Sequence, residues 1–367
     1  MRLTSVVPPA RRRRRGNRAS ATIVTRSPAH NPAIPILEVP IVVLDAIRPL
    51  KSPVVIAHVV PDADALGSML GLARAWRQRD VNAKVAIPDR STSQRLAFLV
   101  DWSRVPTATD ADFASADGFV VLDTAKQSRC NVGPELKDTE WAAGRPVINI
   151  DHHATNTRFA TVNWVDASLG SAAELVYRVL YAEGWMIDSV TASLLYAGIQ
   201  TDTLGFSLPT TAASSLQSGA HLVALGANVG ELGERLYRSQ RRSEFDLLRV
   251  IYANTSVVAG GQIAYSSASY EEIHDAGCTA ADIDDQINVP RSLDGVRLAM
   301  LFTEGRRGKT RINFRASGNV TTIGLAAEFG GGGHTQSSGA ILDCGLKKAI
   351  AKVIARAEEH LKRFDDQ

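Results

Sequence analysis

Residues 54–57, 83–87, 118–122 and 147–150 are short apolar runs separated by segments of helical character, and this alternation limits the possible folds most sharply. Between the first two runs Leu66, Met69, Leu70, Ala73 and Trp76 recur at the spacing of one helix face, which predicts a helix from about Ala65. Apolar runs without polar alternation suit strands buried on both faces, and strands that alternate with helices build a largely parallel sheet. Further helices are expected near 171–183, 189–201 and 210–225. The expected fold class is α/β, with a parallel-sheet domain over residues 36–225 carrying helices on both faces. Open sheets of this kind keep their chemistry in the loops at the carboxyl ends of the strands.

Downstream the texture changes. Residues 226–255 are expected to form a helical linker, with Glu231-Leu232-Gly233-Glu234-Arg235-Leu236 leading into Phe245-Asp246-Leu247-Leu248. After Gly260-Gly261 the runs 262–268, 296–303, 310–316 and 338–342 look like antiparallel strands, with helices near 320–329 and 346–364 covering one face. In the last helix Ile350, Val353, Ile354, Ala357 and Leu361 form one stripe, a pattern of core packing. A smaller C-terminal α/β domain is expected over residues 256–367. A chain of 367 residues is too long for one ordinary core, so two lobes with a cleft between them are expected.

The formal net charge of +3 misleads about the folded part. Residues 1–35 hold eight arginines, five of them consecutive at 11–15, and no acid, so the remainder carries 33 basic against 38 acidic side chains. This segment lacks the periodic apolar residues needed to bury a face, and a disordered basic tail is expected. It suits a nucleic-acid or membrane-surface arm, a dispensable extension or an organelle transit peptide. No apolar stretch of signal-peptide length follows the arginines and none of about 20 residues occurs in the chain, so neither secretion nor membrane spanning is expected. Three widely spaced cysteines, Cys130, Cys278 and Cys344, match neither a disulfide framework nor a zinc knuckle, and a cytoplasmic location is the default.

Polar residues stand at the ends of the apolar elements. His58 closes the first run, and Asp62 and Asp64 lie behind it, placed so that both carboxylates can enter one pocket from an extended segment. Asp123 ends the third run, Asp151-His152-His153 ends the fourth, and Asp202 closes the helix at 189–201. Singly, each has a bland explanation as a strand-end cap, a helix closure or a buried structural histidine. Jointly they supply enough oxygen and imidazole ligands for two divalent cations, which about 3.5–4 Å apart activate a water and neutralise a phosphate. Asp123, alone on its strand end, is the natural bridge. Imidazole together with carboxylate favours Mn²⁺ and admits Fe²⁺, Co²⁺, Zn²⁺ or Mg²⁺. Gly67 and Ser68 are expected to let a helix N-terminus approach the anion closely.

The segments HVVPDADALGS at 58–68, LDTA at 122–125, DHHATN at 151–156 and AGIQTDTLGF at 197–206 resemble the DHH phosphoesterase family, named for its Asp-His-His triplet. The resemblance covers roughly residues 36–365. It implies one metal held by His58, Asp62 and Asp123 and a second held by Asp64, Asp123, His152 and Asp202. It also implies that His153 contacts the scissile phosphate and assists proton transfer, while Asp151 orients the histidines.

In the second lobe, strand alternation over Thr310-Arg311-Ile312-Asn313-Phe314-Arg315 puts Arg311, Asn313 and Arg315 on one face. Between Arg291 and Arg315 there are seven basic residues and two acids. The glycine run Gly330-Gly331-Gly332-Gly333, ending at His334, offers exposed amides suited to an anion. Together RINFRASG and FGGGGHTQSSGA resemble the DHH-associated substrate-binding domain. This implies that Arg315, Gly331, Gly332, Gly333 and His334 hold a terminal nucleotide's phosphate. Members often carry Arg-Ser where this chain has Arg315-Ala316, with Ser317 the nearest hydroxyl.

Exonucleases of the RecJ type need additional sequence for an oligonucleotide-binding barrel, and family pyrophosphatases lack the glycine–histidine loop. What remains resembles the nanoRNase and 3′-phosphoadenosine 5′-phosphate phosphatase group. It implies a hydrolase that uses two divalent ions, Mn²⁺ first, on very short RNA or DNA oligonucleotides or small nucleotides, away from membranes and with room for a homodimer. The alternatives are a soluble cyclic-dinucleotide phosphodiesterase, a non-enzymatic nucleotide sensor, and tethering of long RNA by the arginine tail.

Overall fold

The computed structural model describes residues 38–87, 94–130, 144–208, 211–279, 282–333 and 335–364. The basic tail at 1–35 and His334 lie outside the described residues.

The first lobe runs α1 (Ile41–Ile47), β1 (Val54–Ile56), α2 (Ala63–Arg77), β2 (Lys84–Ala86), α3 (Asp110–Ser115), β3 (Phe119–Leu122), β4 (Val147–Asp151), β5 (Val162–Val165), α4 (Ala172–Ala182), α5 (Ser189–Asp202) and α6 (Ala213–Ala224). Its strands form one sheet in the order β2-β1-β3-β4-β5, with every pair parallel. The order reverses at β1: β2 lies on one side, β3 on the other, and Ile56 pairs with Val121. Such a switch point opens a crevice at the carboxyl ends of the neighbouring strands.

Alternation along β3 shows how the sheet is covered. Val120 and Leu122 join the large core built with α1, α2, α4 and α5, whereas Phe119 and Val121 face the other side. There Phe113 of α3 stacks on Phe119 at 6.2 Å. Helices therefore cover both faces unequally, with most of the apolar area on the side of α2 and α5.

The connecting helices are divided between the cores. Leu232 and Leu236 of α7 (Val229–Tyr237) complete the first-lobe core. Leu247 and Ile251 of α8 (Arg242–Ala253) pack with Ala268, Ile283 and Leu301 of the second lobe.

The second lobe continues with β6 (Ser256–Val258), β7 (Ile263–Ala268), α9 (Tyr270–Asp275), α10 (Asn288–Arg291), β8 (Leu298–Arg306), β9 (Lys309–Ala316), α11 (Ile323–Ala327), β10 (Gly332–Gly333), β11 (Ser337–Leu342) and α12 (Leu346–Lys362). Its sheet has the order β10-β11-β9-β8-β7-β6. One pair departs from the antiparallel expectation: β7 and β8 run parallel. Between them α9 and α10 carry the chain back, the kind of crossover that parallel neighbours require. The helix expected at 320–329 shortens to α11, because Gly330 turns left-handed at φ 72° and its amide bonds back to the Ala327 carbonyl. On α12, Val353, Ala357 and Leu361 are buried against Ile312 and Phe314, as the stripe predicts. Among the described residues no helix is long and apolar enough to cross a membrane.

Candidate active site

β1, β3 and β4 end side by side at the switch point, and their carboxyl ends bring His58, Asp123 and Asp151-His152-His153 together. Asp62 and Asp64 reach the same place by a different route from the one expected. They stand at the start of α2 and not on an extended segment. Asp62 is the N-cap, its Oδ1 accepting from the amides of Asp64 at 3.1 Å and Ala65 at 2.9 Å. Asp64, in the first turn, is fully buried and accepts from the first amides of α4, Ala172 at 2.6 Å and Ala173 at 2.8 Å. The N-terminal end of α4 thus holds this carboxylate in place.

Asp123 is the centre of the cluster. Its Oδ2 is 3.5 Å from His58 Nε2, and its Oδ1 is 3.3 Å from His152 Nε2 and 3.5 Å from His153 Nδ1. His58 Nε2 is also 3.9 Å from Asp62, while His152 Nε2 is 3.3 Å from Asp202 and 3.9 Å from Asp64. Ligand atoms of His58, Asp62 and Asp123 lie within 4.8 Å of one another, as do those of Asp64, His152 and Asp202. The backbone here is strained: Val60, Asp123 and Leu204 adopt positive φ of 51°, 52° and 47°, a region that costs non-glycine residues energy and recurs at functional sites.

Two atoms test whether cations fit. Asp123 Oδ1 and His152 Nε2 are buried, yet neither has a hydrogen-bond partner of good geometry. Buried polar atoms in that state are costly, and a cation accepted by both would remove the cost. A mixed set of carboxylate oxygens and imidazole nitrogens suits a divalent transition metal.

Protonation in the metal-free protein reflects this crowding. Asp62 is pushed up to about 6 by its enclosure and by the charges of Asp123 and Asp202. Because the Asp62 side chain is 56% exposed, the neighbouring charges are the firmer of those causes. Burial, with Asp123 and Asp202 close by, also raises Asp64 well above the carboxylate range. Burial would raise Asp123 too, but the His152 and His58 rings hold it below that range. For His58, His152 and His153 burial opposes the charged ring, yet the surrounding carboxylates outweigh it and all three are raised.

Of the layer that supports these residues, only Asp151 is expected from the sequence. His153 Nδ1 donates to Asp151 Oδ1 at 2.7 Å, and the His152 amide donates to the same oxygen at 2.9 Å. Asn156 Nδ2 reaches Asp151 Oδ2 at 2.5 Å and Asn149 Oδ1 at 2.7 Å, while Asn149 donates to the Val121 carbonyl of β3 at 3.1 Å. This ties the ends of β3 and β4 together beneath the histidines. Asn156 lies within the DHHATN segment, so its proximity to the triplet was the available signal. Arg129 also approaches the site, its Nη2 3.2 Å from His58 Nδ1.

One expectation about small residues is corrected. Gly67 and Ser68 are not placed to admit an anion: both are buried inside α2, and Ser68 Oγ donates to the Ala65 carbonyl at 3.2 Å. Gly67 instead admits α5, since a Cβ there would lie 2.3 Å from the Leu194 carbonyl oxygen.

In the second lobe Arg315 is half-buried on the face of β9 opposite Phe314 and Ala316, whose side chains lie in the core. A hydroxyl at position 316 would therefore point away from Arg315, and Ser317 Oγ is already engaged with the Val296 carbonyl at 3.1 Å. The glycine run is not a free loop: Gly332 and Gly333 form β10 against β11, and a Cβ on Gly331 would lie 2.1 Å from the Gly339 carbonyl oxygen.

Residues 53–199 match the family model described as DHH family, N-terminal domain. The chain is 31% identical over 291 residues to the bifunctional oligoribonuclease and PAP phosphatase NrnA of Bacillus subtilis, covering 77% of this chain and 87% of that protein. It is 32% identical over 324 residues to the protein of the same name from Thermus thermophilus, covering 88% and 94%. Among solved structures it is similar to an exopolyphosphatase-related protein from Bacteroides fragilis, with a TM-score of 0.81 and 25% identity over 89% of this chain and 98% of that one. With its Asp-His-His triplet at the switch point and relatives that extend through both lobes, the chain belongs to the DHH family.

Proposed function

We propose that the chain is a metal-dependent phosphoesterase that hydrolyses very short oligonucleotides to mononucleotides and also dephosphorylates 3′-phosphoadenosine 5′-phosphate (PAP). The observation that carries this reading is Asp123, whose two oxygens face His58 on one side and His152 on the other. One carboxylate thus joins two acid–imidazole clusters in a crevice open at the strand ends. The NrnA proteins of Bacillus subtilis and Thermus thermophilus, named for both activities, support the substrate class.

In this reading His58, Asp62 and Asp123 hold one Mn²⁺, and Asp64, Asp123, His152 and Asp202 hold a second. Bound there, the ions supply an activated water and neutralise phosphate charge. His153 serves the phosphate as a proton carrier. Asp151 accepts the hydrogen bond of Nδ1–H at 2.7 Å, so the exchangeable proton is carried on Nε2. Because Asp151 is itself fixed by Asn156, the ring cannot swing freely. Arg315, the backbone of Gly331, Gly332 and Gly333, and His334 grip the terminal phosphate, which limits substrates to two to five nucleotides. The enzyme works in the cytoplasm, in keeping with free thiols at Cys130, Cys278 and Cys344. Among the described residues no contact favours a cyclic dinucleotide over a linear one.

A substrate panel with Mn²⁺ tests this: dinucleotide, pentanucleotide, longer RNA, PAP, cyclic di-AMP and pyrophosphate. Turnover of the dinucleotide and PAP with little on longer RNA is expected. Metal-replete protein that turns over neither refutes the proposal.

A further inference from the structure

We infer that Arg129 is the catalytic lobe's own contact to the substrate phosphate. This rests on the phosphoesterase reading above and adds a residue to it. Arg129 ends a short helical turn, Gln127–Arg129, which follows Asp123 in the chain. Its carbonyl accepts the Val59 amide at 2.9 Å, which pins the turn against the His58–Asp62 loop. The guanidinium is thereby delivered to the edge of the acid–imidazole cluster, half-buried.

What it meets there is a conflict over a single atom. His58 Nδ1 is 2.8 Å from the Val59 carbonyl oxygen and 3.2 Å from Arg129 Nη2. The carbonyl can only accept and the guanidinium can only donate, so the nitrogen satisfies one of them at a time. His58 Nε2 faces Asp62 and Asp123, the direction in which a ligand lone pair must point. A ring whose Nε2 is bare carries its proton on Nδ1 and gives it to the Val59 carbonyl. Arg129 is then a donor set against a donor. Among the described residues it forms no ion pair with a carboxylate that would occupy it instead.

With cations seated among the carboxylates, a guanidinium at their edge gains from a further anion placed between them. Phosphate oxygens meet that need, and the planar fork of an arginine matches two of them at once. Arg129 therefore holds the phosphate from the side of β1, while Arg315 belongs to the other lobe.

Arg129→Gln and Arg129→Lys in the full-length, Mn²⁺-loaded protein test the assignment, read by calorimetric titration with adenosine 5′-monophosphate and separately with Mn²⁺. The glutamine variant is expected to bind the nucleotide about 10- to 100-fold more weakly, the scale of one charge-assisted contact, with the lysine variant between it and wild type. Mn²⁺ affinity should stay within about threefold, and KM for a dinucleotide should rise more than kcat falls. Nucleotide affinity unchanged in Arg129→Gln overturns the assignment. So does a loss of Mn²⁺ affinity with normal nucleotide binding once metal is saturating, which would make Arg129 a support for His58. Wild-type protein that binds Mn²⁺ and nucleotide yet hydrolyses neither dinucleotide nor PAP overturns the parent reading, and the binding comparison still judges Arg129.

Discussion

Gly198 of α5 stands directly against Asp64 of α2: a Cβ at position 198 would lie 2.7 Å from the Asp64 carboxylate and 3.0 Å from its Cα. The close approach of the two helices therefore sets where one carboxylate of the site can be. Gly198→Ala should displace Asp64 and weaken Mn²⁺ binding about 10- to 100-fold, the usual effect of disturbing a group that supports a ligand. Calorimetric titration of the variant with Mn²⁺ measures this, and wild-type affinity would show that α2 and α5 part without moving the carboxylate.

Asp123 answers to chemistry and to backbone together. At φ 52° it sits where asparagine is tolerated and alanine is strained. Asp123→Asn should keep the metal-free fold, with a thermal midpoint close to wild type, and lose about 10³-fold or more in kcat on a dinucleotide. Asp123→Ala should lose activity and also melt earlier. Near-normal rates in either variant would remove Asp123 from the centre of the site.

On the proposed reading, protons compete with cations for His58 and His152. Neighbouring carboxylates outweigh burial and raise both, so in the metal-free protein these two rings still hold protons above the ordinary imidazole value. Cation binding must displace them. Apparent Mn²⁺ affinity should fall by about tenfold or more as pH drops from 8 to 6, with protons released into the buffer on binding. Affinity that is flat across this range would mean that the rings bind no metal.

Asp188 links stability to pH away from the site. It caps α5 through the Thr191 amide at 2.9 Å, and it accepts Arg74 at 2.6 Å and Gln78 at 2.8 Å. The Arg74 hydrogen bonds hold its carboxyl well below the usual carboxylate range. A carboxyl depressed on folding contributes its full stability above its unfolded value, near about 3.9, and loses it as pH falls through the folded value. Asp188→Ala should cost about 2–3 kcal/mol at neutral pH, measured by urea unfolding, with the difference from wild type narrowing toward pH 3. An equal penalty at both pH values would assign the effect to packing alone.

The strand ends were legible because burial in a parallel sheet is written locally: 118–122 is apolar throughout, 147–150 is apolar but for Asn149, and β3 and β4 occupy them. His58, Asp123 and the Asp-His-His triplet could be placed from that alone. β5 escaped notice because it lies at the sheet edge, where only Trp164 of Val-Asn-Trp-Val is buried. The parallel pairing of β7 with β8 was hidden for a different reason: strand direction depends on the path of the intervening chain, and α9 and α10 are too short for a clear periodic signal. Gly67 and Asn156 show a further limit. Each sits inside a recognisable motif, yet its work is packing or bracing, which only the third dimension reveals.

The neighbours β1 and β3 are far apart along the chain, because β2 is built between them and then leaves for the sheet edge. During synthesis His58, Asp62 and Asp64 emerge from the ribosome well before Asp123, and His152 follows later still. The His58–Asp62–Asp123 group needs only β1, α2 and β3, whereas the Asp64–His152–Asp202 group stays incomplete until α5 has followed β4. On the proposed reading, the second cation can therefore be seated only by a chain whose first lobe has folded through α5.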